Sequence, residues 1–261
     1  MTEAVQIEVR DRVAVLTLSR PDTGNAIDQE MADSLLRATL HVAADDAVRA
    51  VLLTAQGRAF CVGGDVKAFA AAGAKASALV ENLTASLHMA IARLARMEKP
   101  LVTAINGAAA GAGFGLAILG DVALAARSAK FAMAYGAIGL TPDGGATWLL
   151  PRLVGFRQAQ RLALTDERID AQEANRIGLI TRVTDDESLH DEAFTLARTL
   201  AKGPRRALAQ TRALLHQSLS NGLETQLERE AQGIAGAIAG SEGQEGIAAF
   251  IARRPADFSS L

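Results

Sequence analysis

Two glycine-rich segments of the sequence have the composition of loops that bring a ligand against the backbone. The first runs from Arg58 to Lys67 (RAFCVGGDVK) and the second from Asn106 to Gly113 (NGAAAGAG). Each follows a predicted strand and leads into a predicted helix, and its small residues leave backbone N–H groups accessible. Two such amides converging on one oxygen would form an oxyanion hole. The same spacing also fits ordinary tight strand–helix turns, and that alternative stays open.

One carboxylate, Asp143, lies in a segment that is otherwise typical of a turn, Pro142-Asp143-Gly144-Gly145. A single carboxylate facing a pocket suits a proton shuttle, which removes a proton at one carbon and returns it at another. The alternative is that Asp143 only forms the turn or caps the helix after it, since aspartate between proline and glycine favours turns. Composition and spacing do not decide between the two.

Several common chemistries lack their residues in this sequence. The four histidines (His41, His88, His190, His216) are far apart, and none pairs with another ligand at zinc spacing. There is no G-x-S-x-G elbow and no G-x-x-x-x-G-K-[ST] phosphate loop. The glycine run from Gly107 resembles a dinucleotide turn, but Leu116 stands where the third glycine belongs. We therefore expect no metal and no nucleotide cofactor.

The overall composition is that of an ordinary globular chain. The 261 residues include 49% hydrophobic and 21% charged residues, with a net charge of −2 and a single cysteine, Cys61. This charge does not favour a nucleic-acid partner. The uncharged stretch 101–120 contains five glycines and Asn106, so a strand, a turn and a buried helix explain it better than a membrane span. The N-terminus has no secretory signal, and we expect a cytoplasmic protein.

Strand-like and helix-like segments alternate along the first 184 residues, which is typical of an α/β core. After Asp185 the pattern changes to amphipathic helices, over residues 186–201, 205–219, 223–239 and 242–253. We therefore predict two regions. Residues 1–190 form the α/β core, and residues 191–261 form a helical C-terminal region that docks on the core or on a neighbouring subunit.

The two loops, followed by Ile138–Gly145 (IGLTPDGG) and Leu150–Gly155 (LPRLVG), resemble the crotonase family of enoyl-CoA hydratases and isomerases in order and spacing. The resemblance covers the whole chain and is strongest to the isomerase branch, which includes enzymes acting on ring-epoxidised phenylacetyl-CoA. It implies a crotonase-like ββα spiral core with a C-terminal α-helical oligomerisation region. It also implies a homotrimer or a dimer of trimers.

The resemblance further implies an acyl-CoA substrate, with coenzyme A present only as part of that substrate. The thioester oxygen would be held by the backbone N–H groups of Gly64 and Ala112, and Asp143 would face the acyl group. Arg58 and Lys67 would meet the phosphates of coenzyme A. The other substrate-binding residues that the resemblance implies are Ala26, Val62, Asp65, Val66, Phe114, Tyr135, Leu140 and, from a neighbouring subunit, Arg253.

Family hydratases hold a water molecule between two glutamates, and this sequence carries neither. Gly115 and Tyr135 stand at the two positions, whereas family isomerases place a carboxylate at the position of Asp143. The resemblance therefore favours an acyl-CoA isomerase of the enoyl-CoA isomerase type over a hydratase. Its reaction would pass through an enolate stabilised by the two amides, with Asp143 as the proton shuttle.

Three alternatives remain open from the sequence. The protein could be a hydratase or another crotonase-type lyase or hydrolase, including one in which Asp143 attacks as a nucleophile. That chemistry needs a histidine base, and His88 lies four residues upstream of where such relatives carry theirs. The protein could also bind CoA esters without catalysis.

Three other residues receive a structural role from the sequence. His88, a lone histidine within a helix, is predicted to be structural. Trp148 is predicted to lie in the core, and Cys61 to be a packing residue.

Overall fold

The predicted α/β fold is confirmed by a computed structural model, which describes residues 3–259 and 261. Six strands form one sheet in the order β1-β2-β3-β5-β7-β10, and four form a second sheet in the order β4-β6-β8-β9. The strands are β1 (Val5–Arg10), β2 (Val13–Leu18), β3 (Ala50–Ala55), β4 (Ala59–Cys61), β5 (Leu101–Ile105), β6 (Ala108–Ala110), β7 (Val122–Ala126), β8 (Lys130–Ala132), β9 (Ile169–Asp170) and β10 (Arg182–Thr184).

The helices lie between and after these strands. They are α1 (Gln29–Ala44), α2 (Val66–Ala72), α3 (Ala76–Arg96), α4 (Ala112–Ala117), α5 (Ala146–Thr165), α6 (Ala171–Arg176), α7 (Leu189–Ala201), α8 (Arg205–Ser218), α9 (Leu223–Ala239) and α10 (Ser241–Ile251). Short 3₁₀ turns cover Pro21–Thr23, Gly73–Lys75 and Gly136–Ile138.

A ββα unit occurs three times in succession and explains how two sheets arise from one chain. In each unit a long strand joins the large sheet, a short strand joins the small sheet, and a helical segment follows. The long strands β3, β5 and β7 are parallel neighbours, as are the short strands β4, β6 and β8. Because parallel neighbours point the same way, the loops after β4 and β6 leave the small sheet at the same edge.

The uncharged stretch 101–120 is divided as expected between β5, β6 and α4. All of β5 and all of α4 are buried, which accounts for the apolar run. Residue Thr103 lies in this buried strand with its hydroxyl donating to the carbonyl of Ala117. Within residues 3–259 and 261, no helix is long and apolar enough to cross a membrane.

Helix α7 packs on the large sheet although it begins beside the predicted boundary at residue 190. Leu189, Ala193, Ala197 and Ala201 are buried against β3 and β5. The first of the predicted C-terminal helices therefore covers the core. Helices α8 to α10 pack mainly on one another. The division into two regions stays a prediction.

Helix α8 is attached to the core through one buried side chain, Arg212. Its guanidinium pairs with Asp121 at 2.6 Å and donates to the backbone carbonyls of Leu94 and Met97 at the end of α3. Helices α8, α9 and α10 also carry large apolar side chains that are exposed in the single chain. Their exposed large residues are Leu215, Leu219, Leu223, Leu227, Ile234, Ile238, Ile247, Phe250 and Ile251.

The prediction that Trp148 belongs to the core is wrong. Its side chain is 44% exposed on α5. The indole ring stacks on His216 at 6.4 Å between ring centroids, and the guanidinium carbon of Arg152 lies 4.1 Å from the centroid of the indole ring. A tryptophan can cover a surface crevice in this way, because its ring is large enough to pack partly while remaining wet.

Candidate active site

The two glycine-rich loops touch each other at the edge where β4 and β6 end. A Cβ atom placed on Gly63 would lie 3.3 Å from the Cα of Gly111 and 2.9 Å from the carbonyl oxygen of Ala110. Gly63 has φ +95° and Gly111 has φ +55°, conformations that side chains disfavour. Glycine at both positions therefore permits the close approach of the loops and brings Gly64 near Ala112.

The amides of Gly64 and Ala112 are available to a ligand. Neither N–H donates a hydrogen bond to any group in the described part of the chain. Residue Ile27 flanks Gly64, with its N–H donating to Gly63 at 2.8 Å and its carbonyl accepting from Asp65 at 3.0 Å. The neighbouring peptide groups are thus fixed by hydrogen bonds, while the N–H of Gly64 has no acceptor within the described residues and can donate to a ligand, as an oxyanion hole requires.

The loop before α5 carries Asp143 to the same place. Gly144 has φ +62°, and a Cβ atom on it would lie 3.4 Å from the Cα of Ala112. This packing puts the Asp143–Gly144 peptide against Ala112, whose amide and that of Gly64 are the two candidate oxyanion-hole donors. Asp143 therefore lines the same cavity as Gly64 and Ala112, and its side chain is 29% exposed.

Both oxygens of the Asp143 carboxylate have partners. The hydroxyl of Tyr135 donates to Oδ1 at 2.5 Å, and Nε2 of His88 lies 3.3 Å from Oδ2. Burial raises the pKa of Tyr135, and the negative charge of Asp143 raises this pKa further. Tyr135 consequently remains a neutral donor across the physiological range and holds the carboxylate in one orientation.

These groups open into an apolar cavity of about 640 Å³. Helices α2 and α3 contribute Phe69, Val80, Leu83 and Leu87 to its lining, and Ile138 and Leu140 come from the segment before α5. The size and lining are typical of pockets for small organic ligands. Of the site residues expected from the sequence, the cavity is lined by Gly64, Ala112, Asp143, Val62, Val66, Tyr135 and Leu140.

The other expected site residues lie elsewhere. Phe114 is buried in the core, edge-on to Phe131, because α4 turns it away from the cavity. Asp65 caps α2, where its carboxylate accepts from the N–H groups of Lys67 and Ala68. Ala26 lies beside the cavity-lining Ile27 without joining the lining. Arg253 is exposed beyond α10, far along the chain from the loops.

The structure brings His88 into the site, which the sequence reasoning missed when it treated this residue as structural. Besides facing Asp143, its Nε2 accepts a hydrogen bond from the N–H of Gly144 at 3.2 Å. The imidazole side chain is 49% exposed. A signal was present, since His88 follows Leu87 and lies one helical turn after Thr84, both of which line the cavity.

Gly115 leaves no room for the glutamate that family hydratases carry at this position. A Cβ atom there would lie 2.6 Å from the carbonyl oxygen of Gly144. The loop that carries Asp143 thus occupies the space of the missing side chain. Cys61, within the first glycine-rich segment, is fully buried, and burial raises the pKa of its thiol to about 12. Its packing position agrees with the sequence prediction.

Within the described residues, no group of three or more histidine, cysteine, aspartate or glutamate side chains could hold a metal ion.

The family model for enoyl-CoA hydratase/isomerase matches residues 8–260. The chain belongs to this family. The resemblance of the loops to the crotonase pattern is thereby confirmed over nearly the whole sequence.

Relatives within the enoyl-CoA hydratase/isomerase family include both kinds of enzyme. The chain is 40% identical to a 1,2-epoxyphenylacetyl-CoA isomerase of Escherichia coli over 262 residues, covering 99% of each protein. It is 41% identical to a probable enoyl-CoA hydratase of Rhodobacter capsulatus, covering 98% of this chain and 97% of that protein. The crystal structure of a putative enoyl-CoA hydratase/isomerase from Mycobacterium abscessus superposes with a TM-score of 0.92 at 36% identity, covering 98% and 99% of the two chains.

Proposed function

We propose that the protein is an acyl-CoA isomerase of the enoyl-CoA isomerase type, with Asp143 as its proton shuttle. The observation that carries this proposal is the set of ionisable groups in the cavity. Among the described residues that line it, Asp143 is the only carboxylic acid. Hydration by the family's two-glutamate mechanism lacks both of its groups here, whereas proton transfer between two carbons of one substrate needs a single base.

The reaction begins with the thioester oxygen between the amides of Gly64 and Ala112. Asp143 takes a proton from the α-carbon, and the electron pair of that C–H bond moves to the thioester oxygen as an enolate. Each oxyanion donor contributes about 3 kcal/mol to the stability of such a charge. In a substrate with a double bond between its β- and γ-carbons, the enolate electrons then form a double bond between the α- and β-carbons, and the electron pair of the former β,γ double bond takes the proton from Asp143 at the γ-carbon. The double bond has moved, and the carboxylate is restored without any other co-reactant.

Tyr135 and the cavity wall prepare the base for this transfer. Because Tyr135 donates to Oδ1, the carboxylate is held in place and still has lone pairs free on both oxygens. The apolar residues around it exclude water, which strengthens the interaction of the enolate with the two amides. The lining also suits a hydrophobic or aromatic acyl group, and we include ring-epoxidised phenylacetyl-CoA among the substrates to test.

Hydrogen exchange at the α-carbon tests the assignment of Asp143. Phenylacetyl-CoA is incubated with the protein in deuterated water, and deuterium uptake is followed by mass spectrometry. Asp143→Asn keeps size and shape but removes the base, so exchange should fall by about 10²-fold or more while CoA-ester affinity is retained.

Asp170→Asn is the matched control for this experiment. Asp170 caps α6 away from the cavity, and asparagine caps equally well. Exchange at the wild-type rate in Asp143→Asn would refute Asp143 as the base. A wild-type protein that shows neither exchange nor isomerisation of an enoyl-CoA would instead favour a CoA-ester binder without catalysis.

A second candidate function follows from the contact between His88 and Asp143. A carboxylate beside an imidazole could attack a halogenated aromatic ring, expel halide and be released by a water molecule that gives its proton to the histidine. Release of chloride from a ring-chlorinated benzoyl-CoA separates this reaction from isomerisation. Chloride release without any double-bond migration would favour the second candidate.

The exposed apolar surfaces of α9 and α10 support assembly as a homotrimer or a dimer of trimers, which we propose together with the function. Ile234 is 62% exposed and Phe250 is 85% exposed, which is unusual for side chains of this size in a monomer. Arg253 would then reach the CoA phosphates of a neighbouring subunit. In sedimentation velocity, Ile234→Glu should form smaller species than the wild-type protein. An oligomer of unchanged size would show that Ile234 on α9 is not part of the interface.

A further inference from the structure

The side chain of His88 presents one nitrogen atom to two different groups. Nε2 accepts from the N–H of Gly144 at 3.2 Å and lies 3.3 Å from Oδ2 of Asp143. A neutral imidazole nitrogen either carries a proton or offers a lone pair, and it cannot do both. While Nε2 accepts from Gly144, the lone pairs of Nε2 and a carboxylate Oδ2 would repel each other unless a proton lies between them.

The position of that proton depends on the charge of Asp143. When Asp143 is a carboxylate, the contact is favourable if Nε2 carries the proton and donates it to Oδ2. When Asp143 has taken up a proton, Oδ2 can donate to the bare Nε2, whose single lone pair is then shared with the N–H of Gly144. The geometry is therefore compatible with a proton on either side of the contact, as a transfer route requires.

The carboxylate also lies between the cavity and His88. Asp143 and Tyr135 line the cavity, whereas His88 does not, and its side chain is 49% exposed. Tyr135 occupies Oδ1 and leaves Oδ2 to the imidazole. His88 thus meets the candidate base while about half of its side chain is accessible to solvent.

We propose that His88 is a proton relay between Asp143 and water, so that the proton taken from the acyl chain exchanges with solvent before it is returned. This inference rests on the proposed isomerase function, and it assigns to His88 a role that acts through Asp143 and not on the substrate. It predicts that the isomerisation does not keep the original hydrogen in the product.

The relay balances without an additional reagent. Asp143 takes the α-proton, and the resulting acid passes it from Oδ2 to Nε2, which forms an imidazolium ion. In this half-exposed imidazolium ion, the proton on Nε2 exchanges with water or a buffer base while Nδ1 keeps its own proton. In deuterated water the deuteron taken up at Nε2 passes to Oδ2 of Asp143, and Asp143 delivers it to the γ-carbon of the enolate.

The test compares deuterium uptake with isomerisation in the same reaction. The probe is cis-3-hexenoyl-CoA in deuterated water, stopped at low conversion. Absorbance of the conjugated thioester counts isomerisation, and mass spectrometry counts deuterium in the product. The number of deuterium atoms per isomerisation is the readout, so a change in overall rate does not affect it.

His88→Gln separates proton transfer from positioning. A glutamine amide has an oxygen that can accept from Gly144 and an N–H that can donate to Asp143, but it carries no transferable proton. We expect deuterium per isomerisation to fall more than about 10-fold, since a positioned acid–base group contributes about 10²–10⁴-fold to a transfer rate. Free imidazole should raise the value again in His88→Ala. Met89→Gln, on the adjacent and exposed position of α3, is the control.

The outcomes distinguish the relay from the function on which it rests. Wild-type product free of deuterium, or an unchanged ratio in His88→Gln, overturns the relay while leaving Asp143 as the base. A wild-type protein that neither isomerises the probe nor exchanges its α-proton overturns the proposed function and the relay with it. A low ratio in His88→Gln that imidazole restores in His88→Ala supports the relay.

Discussion

Adding a methyl group at Gly115 should displace the loop that carries Asp143. In Gly115→Ala the new Cβ would lie 2.6 Å from the carbonyl oxygen of Gly144. The shortest ordinary contact between carbon and a carbonyl oxygen is about 3.3 Å, so this carbonyl must withdraw by about 0.7 Å. Gly144 adjoins Asp143, and the carboxylate must move with it. A misplacement of about 1 Å can cost about 10²-fold in rate, and overpacking costs about 1–3 kcal/mol of stability.

The assay for this variant is α-proton exchange with phenylacetyl-CoA at saturating concentration, combined with urea unfolding. Gly222→Ala is a suitable control, because Gly222 has φ −70° and the nearest contact of an added Cβ is 3.9 Å away. We expect Gly115→Ala to lose most of its exchange rate per folded molecule and the control to keep it. A Gly115→Ala protein that exchanges at the wild-type rate would show that the packing of Gly144 does not position Asp143.

Three further predictions follow from the structure. Burial raises the pKa of Cys61 to about 12 from an ordinary value of 9.0, so its thiolate forms more readily in the unfolded chain than in the folded protein. The free energy of unfolding should therefore fall as pH rises from about 9 toward 12. In urea titrations, Cys61→Ala should lose this pH dependence. Arg212→Met leaves Asp121 and two carbonyls without their buried partner and should cost about 3–5 kcal/mol, whereas Arg205→Met removes an exposed ion pair and should cost about 0–1 kcal/mol, both measured by urea unfolding. Without the two family glutamates, the wild-type protein should hydrate crotonyl-CoA with a kcat well below about 10 s⁻¹ in a spectrophotometric assay, and a rate at or above that value would contradict the interpretation of Gly115 and Tyr135.

The loops of the site were predictable because their chemistry is local. Glycine at positions 63 and 111 reports a backbone with positive φ, and the strand before each loop fixes the edge at which it emerges. Asp143 was also identifiable, since a carboxylate between proline and two glycines lies on a tight and accessible turn. In each case the informative residues are neighbours in the chain.

Side-chain direction was harder to predict because it depends on packing between distant segments. Phe114 and Trp148 are both large aromatic residues in helices near the site, and the sequence placed the first in the cavity and the second in the core. The structure has Phe114 buried against Phe131 and Trp148 on the surface against His216. Neither partner is within ten residues of its aromatic ring, so no local pattern could show these contacts.

The meeting of His88 and Asp143 depends on the rotation of one helix. Apolar spacing along α3 identifies Leu83, Leu87 and Ile91 as a face, and successive residues are turned by about 100° around the axis. His88 is therefore at the flank of that face and can point either to solvent or to the neighbouring loop. The contact of Gly144 with Ala112 brings the loop to this flank and lets one imidazole nitrogen reach both Gly144 and Asp143. Whether the Asp143 carboxylate has the imidazole of His88 as a partner thus depends on the contact between Gly144 and Ala112, which the spacing of residues along α3 cannot show.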